Sequence, residues 1–273
     1  MRVKALILAA VAALGASVAT VPAATAAPGN TVLLGDSLMA NPSVAQYMTQ
    51  KGLPLDKSPM SRAGCASDFR FADAYRSVKG GDVDNYACSG ASFHTGGKHM
   101  SELADMAARQ GRLNAGTREV VLLAGANDTY PYVLNDKLPV PKIQDNLRIS
   151  MERTINQVKR QAPNAHIKLV GYTNITTPRG DVCYLNLIPG PGTPSPTVRI
   201  RPIEDTLQRA GIDAARNTGV TFVDTKGISN GKDTCSPNRW ITGIIDVAPQ
   251  HRNLAFHLTH QGINEVGKHA ARA

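Results

Sequence analysis

Short apolar runs alternate with longer amphipathic stretches along most of this chain. Two stretches have helical character near the middle and one near the end, at about 141–161, 197–217 and 261–272, and the first carries an apolar stripe spaced by three or four residues. Five runs predict strands: Thr31 to Leu34, Asp84 to Ala87, Glu119 to Ala124, His166 to Tyr172 and Val220 to Asp224. Strands that alternate with helices predict an α/β fold, in which a parallel sheet of about five strands is covered on both faces.

The first 26 residues predict a secretory signal peptide. Arg2 and Lys4 precede an apolar stretch from Ala5 to Val21, and the small residues that follow end at an Ala24-Thr25-Ala26 cleavage pattern. No later segment is apolar for long enough to span a bilayer. We therefore expect an exported protein in which residues 27–273 form one domain.

The charge is positive but scattered. The full chain has 30 basic and 21 acidic residues, and the leader removes two basic residues and no acidic ones, so the mature balance is 28 minus 21, or +7. Nucleic-acid binding would need dense basic runs with interleaved aromatic residues, and the sequence has none. Solubility is the simplest reason for this charge, and a weak attraction to an anionic envelope surface is the alternative.

The four cysteines predict two disulfides, because an exported chain with an even number of cysteines is normally oxidised. Three pairings are formally possible. No group of histidines and carboxylates has metal-ligand spacing, and no phosphate-loop or dinucleotide fingerprint occurs. We therefore expect neither a metal nor a cofactor.

Three short polar blocks follow predicted strands, and a fourth lies near the C-terminus. A serine placed straight after a strand is a candidate nucleophile, although each block alone also fits a surface turn. Because the carboxyl ends of parallel strands share one edge of the sheet, the blocks can meet in space. The blocks are Gly35-Asp36-Ser37-Leu38, Ser89-Gly90-Ala91, Gly125-Ala126-Asn127-Asp128 and His257 to Gly262. In this order the set resembles the GDSL, or SGNH, family of serine esterases and lipases.

The resemblance implies a flavodoxin-like three-layer α/β/α domain and a secreted serine hydrolase that cleaves lipid or short-chain carboxylic esters through an acyl-enzyme. Ser37 would be the nucleophile and His257 the general base, while Gly90, Asn127 and the Ser37 N–H would form the oxyanion hole. Asp36 and Asp128 are interpreted as structural, holding the turns by side-chain to backbone hydrogen bonds. The disulfides implied by the secreted bacterial members join Cys65 to Cys88 and Cys183 to Cys235.

Two histidines compete for the role of the base. Thr259 is predicted to cap the last helix, which leaves His257 on the preceding loop and His260 at the first helical position. The positive end of the helix dipole disfavours a cationic imidazole at His260. The family pattern His-x-Thr/Asn-x-x-Gly also selects His257.

The group that orients the base departs from the family pattern. Most members have Asp three residues before the catalytic histidine, and this chain has Leu254 there. We expect the Leu254 backbone carbonyl to accept the imidazole Nδ1–H. Asp246 is the alternative, brought in by a nearby loop, although the sequence favours an exposed loop carboxylate at that position.

Several points stay open from the sequence. An acyltransferase or an O-acetyl-glycan esterase could use the same machinery, and a non-catalytic, basic envelope-binding protein could share the fold. Trp240 fits either the acyl pocket or the core, and the Pro- and Gly-rich segment Ile188 to Pro196 fits either a pocket rim or a surface loop. The expected partner is a small-molecule or lipid ester, and a monomer is expected.

Overall fold

The five predicted strands form one parallel sheet in the computed structural model, which describes residues 29–53, 59–135, 138–187, 190–196, 200–246 and 254–273. The order across the sheet is β2-β1-β3-β4-β5, and every neighbouring pair is parallel. The predicted signal peptide lies outside the described residues. The strands are β1 (Thr31–Gly35), β2 (Val83–Asn85), β3 (Glu119–Leu123), β4 (His166–Val170) and β5 (Thr221–Val223).

Eight helices occur in the described ranges, and six of them cover the sheet in two groups. One group pairs α3 with α8, and the other pairs α6 with α7 and adds α4 and α5. The side chain of Lys168 in β4 reaches the carbonyl of Ala270 in α8, whereas Gly171, three residues on, faces Gln208 of α7. Since alternate residues of a strand face opposite sides, the two groups lie on opposite faces and make a three-layer sandwich. The helices are α1 (Ser37–Ala40), α2 (Val44–Gln50), α3 (Arg70–Lys79), α4 (Met100–Arg109), α5 (Ala126–Val133), α6 (Val140–Gln161), α7 (Ile200–Thr218) and α8 (His260–Arg272).

The strand register brings the polar blocks to one edge of the sheet. Leu33 pairs with Asn85, and Gly35 pairs with Leu123, so β1, β2 and β3 end close together. The strands β1 and β3 are buried along their whole length. The chain leaves β2 at Asn85, whose side-chain oxygen accepts the Ala87 N–H at 2.9 Å. This local turn ends the strand two residues earlier than predicted.

Two short strand pairs lie beyond the central sheet. Asp181–Val182 pairs with Ser195–Pro196, and Leu185–Asn186 pairs with Ile245–Asp246. The Cys183 to Cys235 disulfide joins this region, with 4.9 Å between the Cα atoms. None of the helices in the described ranges combines the length and the apolarity that crossing a bilayer requires.

Candidate active site

Ser37 is the first residue of α1, immediately after the tight turn that ends β1. Asp36 caps this short helix, because its Oδ1 accepts the Leu38 N–H at 2.8 Å. A side chain at Gly35 would not fit, since a Cβ there would lie 2.6 Å from two atoms of Met39. The turn is therefore held from both sides, and it presents Ser37 partly exposed at the sheet edge.

Asp36 is also joined to a residue that the sequence did not single out. The hydroxyl of Tyr172, just beyond β4, donates to Asp36 Oδ2 and accepts the Ala126 N–H at 3.0 Å. Burial raises the pKa of Asp36 to about 7, and the hydrogen bonds from Tyr172 and Leu38 oppose that rise. This network connects the Ser37 turn to the start of α5, where Asn127 lies.

Gly90 and Asn127 lie on either side of the Ser37 turn. Gly90 has φ +86°, a left-handed conformation that favours glycine. Its carbonyl oxygen lies so close to Gly97 that a Cβ at Gly97 would be only 2.1 Å away from it. Asn127 is the second residue of α5, and its Nδ2 donates to the Ala91 carbonyl at 2.8 Å. The loop that carries Gly90 and the helix that carries Asn127 are therefore directly bonded.

The first disulfide and a strand-like hydrogen bond fix the other end of the Gly90 loop. Cys88 is bonded to Cys65, with 5.1 Å between the Cα atoms, and its N–H donates to the Gly35 carbonyl at 2.9 Å. Both disulfides of the structure have the pairing that the resemblance implied. The described residues contain no free cysteine.

Asp128 holds the segment that follows Gly90. Its carboxylate accepts the backbone N–H groups of Phe93, His94 and Thr95 at 2.8, 2.9 and 3.1 Å. Burial alone would raise the pKa of Asp128, but hydrogen bonds from the His94 side chain and from the backbone lower it below its ordinary value. Asp128 is thus a buried structural carboxylate, as predicted, but it holds the segment after Gly90 and not the turn around Asn127.

The His257 ring is oriented by a backbone carbonyl, but the carbonyl differs from the expected one. Nδ1 lies 2.8 Å from the Ala255 oxygen. The Leu254 carbonyl is instead taken by the Thr242 hydroxyl at 3.1 Å and by the His257 N–H at 3.2 Å. Phe256, with φ +57°, bends the chain so that the Ala255 oxygen returns to the ring. The prediction of Leu254 is therefore corrected to Ala255.

The environment of His257 favours the neutral imidazole. Burial lowers its pKa to about 4, and the Ala255 carbonyl partly opposes that fall. With Nδ1–H donated to Ala255, Nε2 is the basic nitrogen. This Nε2 is buried and has no hydrogen-bond partner within the described part of the chain.

Asp246, the alternative partner of the His257 ring, is engaged elsewhere. Asp246 forms a two-point ion pair with Arg239, at 2.7 and 2.8 Å, and also accepts a hydrogen bond from Asn186 at 3.2 Å. The side chains of Asp246 and Arg239 are each only 3% exposed, so Asp246 is neither a partner of the ring nor an exposed carboxylate. His260 begins α8, and Thr259 caps that helix by accepting the Gly262 N–H at 3.1 Å.

One cavity of about 450 Å³ brings the four predicted residues together. Ser37, Gly90, Asn127 and His257 all line it. Trp240 does not line it and is buried, with its backbone against Gly262. The segment Ile188 to Pro196 fitted either a pocket rim or a surface loop, and its described residues, 190–196, do not line the cavity. Gly192 of this segment lies beside the Cys183 to Cys235 disulfide, and its N–H donates to the Cys235 carbonyl at 3.1 Å.

Comparison with known proteins agrees with this arrangement. The model of the GDSL-like lipase/acylhydrolase family matches residues 33–263. The chain belongs to this family. Lipase 2 of Streptomyces coelicolor is 28% identical over 272 residues, with 88% of this chain and 87% of the relative covered.

Solved structures show the same fold at lower identity. Phospholipase A1 from Streptomyces albidoflavus matches with a TM-score of 0.61 and 21% identity, covering 90% of this chain and 98% of that structure. An extracellular lipase from Streptomyces rimosus matches with a TM-score of 0.55 and 18% identity, covering 89% and 99%. This chain is accordingly a GDSL-family hydrolase with the SGNH fold.

Two features of this GDSL hydrolase were missed from the sequence. Tyr172 follows β4 as Ser37 and Asn127 follow their strands, so the rule that ligands bind at strand ends could have found it. Tyr130 of α5 and Leu134, the C-cap of that helix, are spaced by four residues and both line the cavity. In the described ranges no three histidines, cysteines or carboxylates are grouped as metal ligands would be.

Proposed function

We propose that this chain is an exported carboxylic ester hydrolase in which Ser37 attacks the ester carbonyl and His257 Nε2 removes the hydroxyl proton. The observation that carries the proposal is the shared cavity, into which a serine at a helix start, a neutral histidine and two oxyanion-donor candidates converge. Nucleophile, base and oxyanion donors are the parts that ester cleavage requires.

The base acts in this proposal without a carboxylate. The Ala255 carbonyl at 2.8 Å accepts Nδ1–H and thereby keeps Nε2 free to take the proton of Ser37. A carbonyl dipole stabilises the imidazolium less than a carboxylate would, which agrees with the low pKa of about 4. The imidazole therefore remains in its basic form from mildly acidic pH upward.

The oxyanion forms beside three donors. These are the N–H groups of Ser37 and Gly90 and the Asn127 amide, of which one hydrogen is already donated to Ala91. His257 then returns the proton to the leaving alcohol, which yields an acyl-enzyme on Ser37 and free alcohol. The same histidine activates water, and the acid is released with the enzyme restored.

Export is supported by three observations. The first 26 residues have the pattern of a signal peptide, two disulfides join the four cysteines, and a structural relative is an extracellular lipase. The protein purified from the culture medium is expected to begin near residue 27. Non-reducing peptide mapping of this protein should find both disulfides. An intracellular protein with free thiols would contradict this part of the proposal.

The catalytic part is tested by single substitutions. Ser37→Ala and His257→Ala should each lower kcat for a chromogenic ester by several orders of magnitude, and the double variant should lose little more because the two residues act as one unit. Asn127→Ala should lose about 10²- to 10³-fold, the usual cost of one oxyanion donor. Circular dichroism should show an intact fold, and activity retained by folded Ser37→Ala would overturn the proposal.

A further inference from the structure

The cavity extends from the His257 side of the sheet to the opposite side. His257 lies two residues before Thr259, the cap of α8, and α8 packs with α3 on one face. The opposite end of the cavity is lined by α5 and α7, from the other face. Ser37 and Asn127 lie between these ends, at the edge of the sheet.

This geometry assigns the two halves of an ester. The base that serves Ser37 must also protonate the leaving oxygen, so the alcohol departs on the His257 side. The acyl chain must then extend the other way, between α5 and α7. This step rests on the proposed roles of Ser37 and His257.

The two walls at that end are apolar and run outward from the oxyanion site. Tyr130 of α5 and its C-cap residue Leu134 follow Asn127 at near-helical spacing, so they lie about one and two turns away from it. On α7, Leu207 is innermost, because a Cβ at Gly125 would lie 3.0 Å from its Cδ2. Ile203 and Ile200 continue this wall toward the start of α7.

The two walls differ in exposure. Leu207 is 4% exposed, whereas Tyr130 and Leu134 are each 44% exposed. Both of these large apolar side chains line the cavity at its outer end. An acetyl group would not reach Leu134, whereas a long alkyl chain would cover it.

We propose that the channel between α5 and α7 binds the acyl chain, and that Tyr130 and Leu134 are specificity-determining residues that favour long acyl chains over acetyl. Tyr130 contacts the part of the chain nearer the carbonyl, and Leu134 contacts the distal part. The occupant is the alkyl chain of a carboxylic ester, held by apolar contact alone at this end.

The test compares p-nitrophenyl acetate, butyrate and decanoate, which share one alcohol. Wild type should have the highest kcat/KM for decanoate. Leu134→Asn should lower kcat/KM for decanoate by about four- to fifteenfold, the value of one or two buried methylenes, with acetate and butyrate changed less than twofold. Tyr130→Ala should lower kcat/KM for both butyrate and decanoate by a similar factor and leave kcat/KM for acetate unchanged.

A matched control is Leu185→Asn, since Leu185 is 49% exposed and lies outside this cavity. Its decanoate-to-acetate ratio should equal that of wild type. Because each ratio is taken within one variant, partial unfolding cancels. A wild type that prefers acetate, or ratios unchanged in both channel variants, would overturn the inference even if Ser37→Ala is inactive. An active Ser37→Ala would instead show that the proposed function is wrong.

Discussion

Replacing Tyr172 by Phe tests the buried network that connects the Ser37 turn to α5. The substitution removes one hydroxyl and keeps the ring. It leaves Asp36 Oδ2 without its donor and the Ala126 N–H without its acceptor. Asp36 and Ala126 directly precede Ser37 and Asn127 in the chain. The loss of stability should therefore be accompanied by a lower kcat with little change in KM.

The loss of stability should depend on pH, because burial raises the pKa of Asp36 to about 7. A group whose folded pKa lies above its unfolded value stabilises the fold fully below the unfolded pKa, near 3.9, and that contribution is lost as the pH rises through about 7. The Tyr172 hydroxyl reduces this loss by favouring the ionised carboxylate. Its removal should therefore cost more at high pH than at low pH.

The magnitudes follow from the two bonds. The unpaired N–H costs about 1 kcal/mol at either pH. The bond to Asp36 contributes about 1 kcal/mol when the carboxyl is neutral and about 2 to 3 kcal/mol when it is ionised. Tyr172→Phe should thus lower the free energy of unfolding by about 2 kcal/mol near pH 5 and by about 3 to 4 kcal/mol near pH 8.5.

Urea unfolding followed by circular dichroism at the two pH values measures this difference. Tyr86→Phe is the matched control, since the Tyr86 hydroxyl donates to the neutral Gln110 amide at 2.7 Å, and its loss should cost the same at both pH values. Equal losses for Tyr172→Phe at both pH values, or no loss at all, would refute the assignment of Asp36 as a carboxyl that titrates near neutrality.

Three further substitutions separate the roles assigned around the site. Asp246→Asn should lower the free energy of unfolding by about 3 kcal/mol, since it leaves the buried Arg239 guanidinium without its carboxylate, yet kcat should stay within a few fold. A drop in kcat beyond about 10²-fold in folded enzyme would show that a carboxylate orients the base. Gly97→Ala should displace the Gly90 peptide and lower kcat by about 10²-fold with little change in KM, and unchanged steady-state kinetics would contradict this. His260→Ala should keep kcat within about twofold, whereas a loss as large as that of His257→Ala would make His260 the base.

Much of the fold follows from the sequence because the strands are short, apolar and regularly separated. The helices α3 and α4 were not identified from it, and their buried faces explain why. Four of the eight buried residues in the two helices are alanines, such as Ala74, which packs against Gly267 of α8. Alanine contributes little to an apolar stripe, so close helix packing through small residues is hard to see in a hydropathy pattern.

The site was predictable where a motif fixes both residue and position. Ser37, Gly90, Asn127 and His257 line one cavity, because each of the first three follows a strand of the same sheet. The carbonyl that orients His257 was predicted one residue too early, since the bend depends on the left-handed conformation of Phe256, a residue that seldom adopts it.

Other parts of the site depend on contacts distant in sequence. The end of the cavity proposed for the acyl chain is built by α5 and α7, whereas Gly192, in the segment that fitted either a rim or a surface loop, lies beside a disulfide. The Tyr172 to Asp36 bond joins residues 136 positions apart, and no local pattern signals it. The Arg239 to Asp246 pair likewise depends on the fold of a loop region.

The identity of the nucleophile is tested most directly by active-site labelling. The enzyme is inactivated with a phosphonate ester, digested and mapped by tandem mass spectrometry. The account predicts a single phosphonyl adduct, on Ser37, that is absent from Ser37→Ala and forms orders of magnitude more slowly in His257→Ala. An adduct on another residue, or labelling of Ser37 at an unchanged rate in His257→Ala, would contradict it.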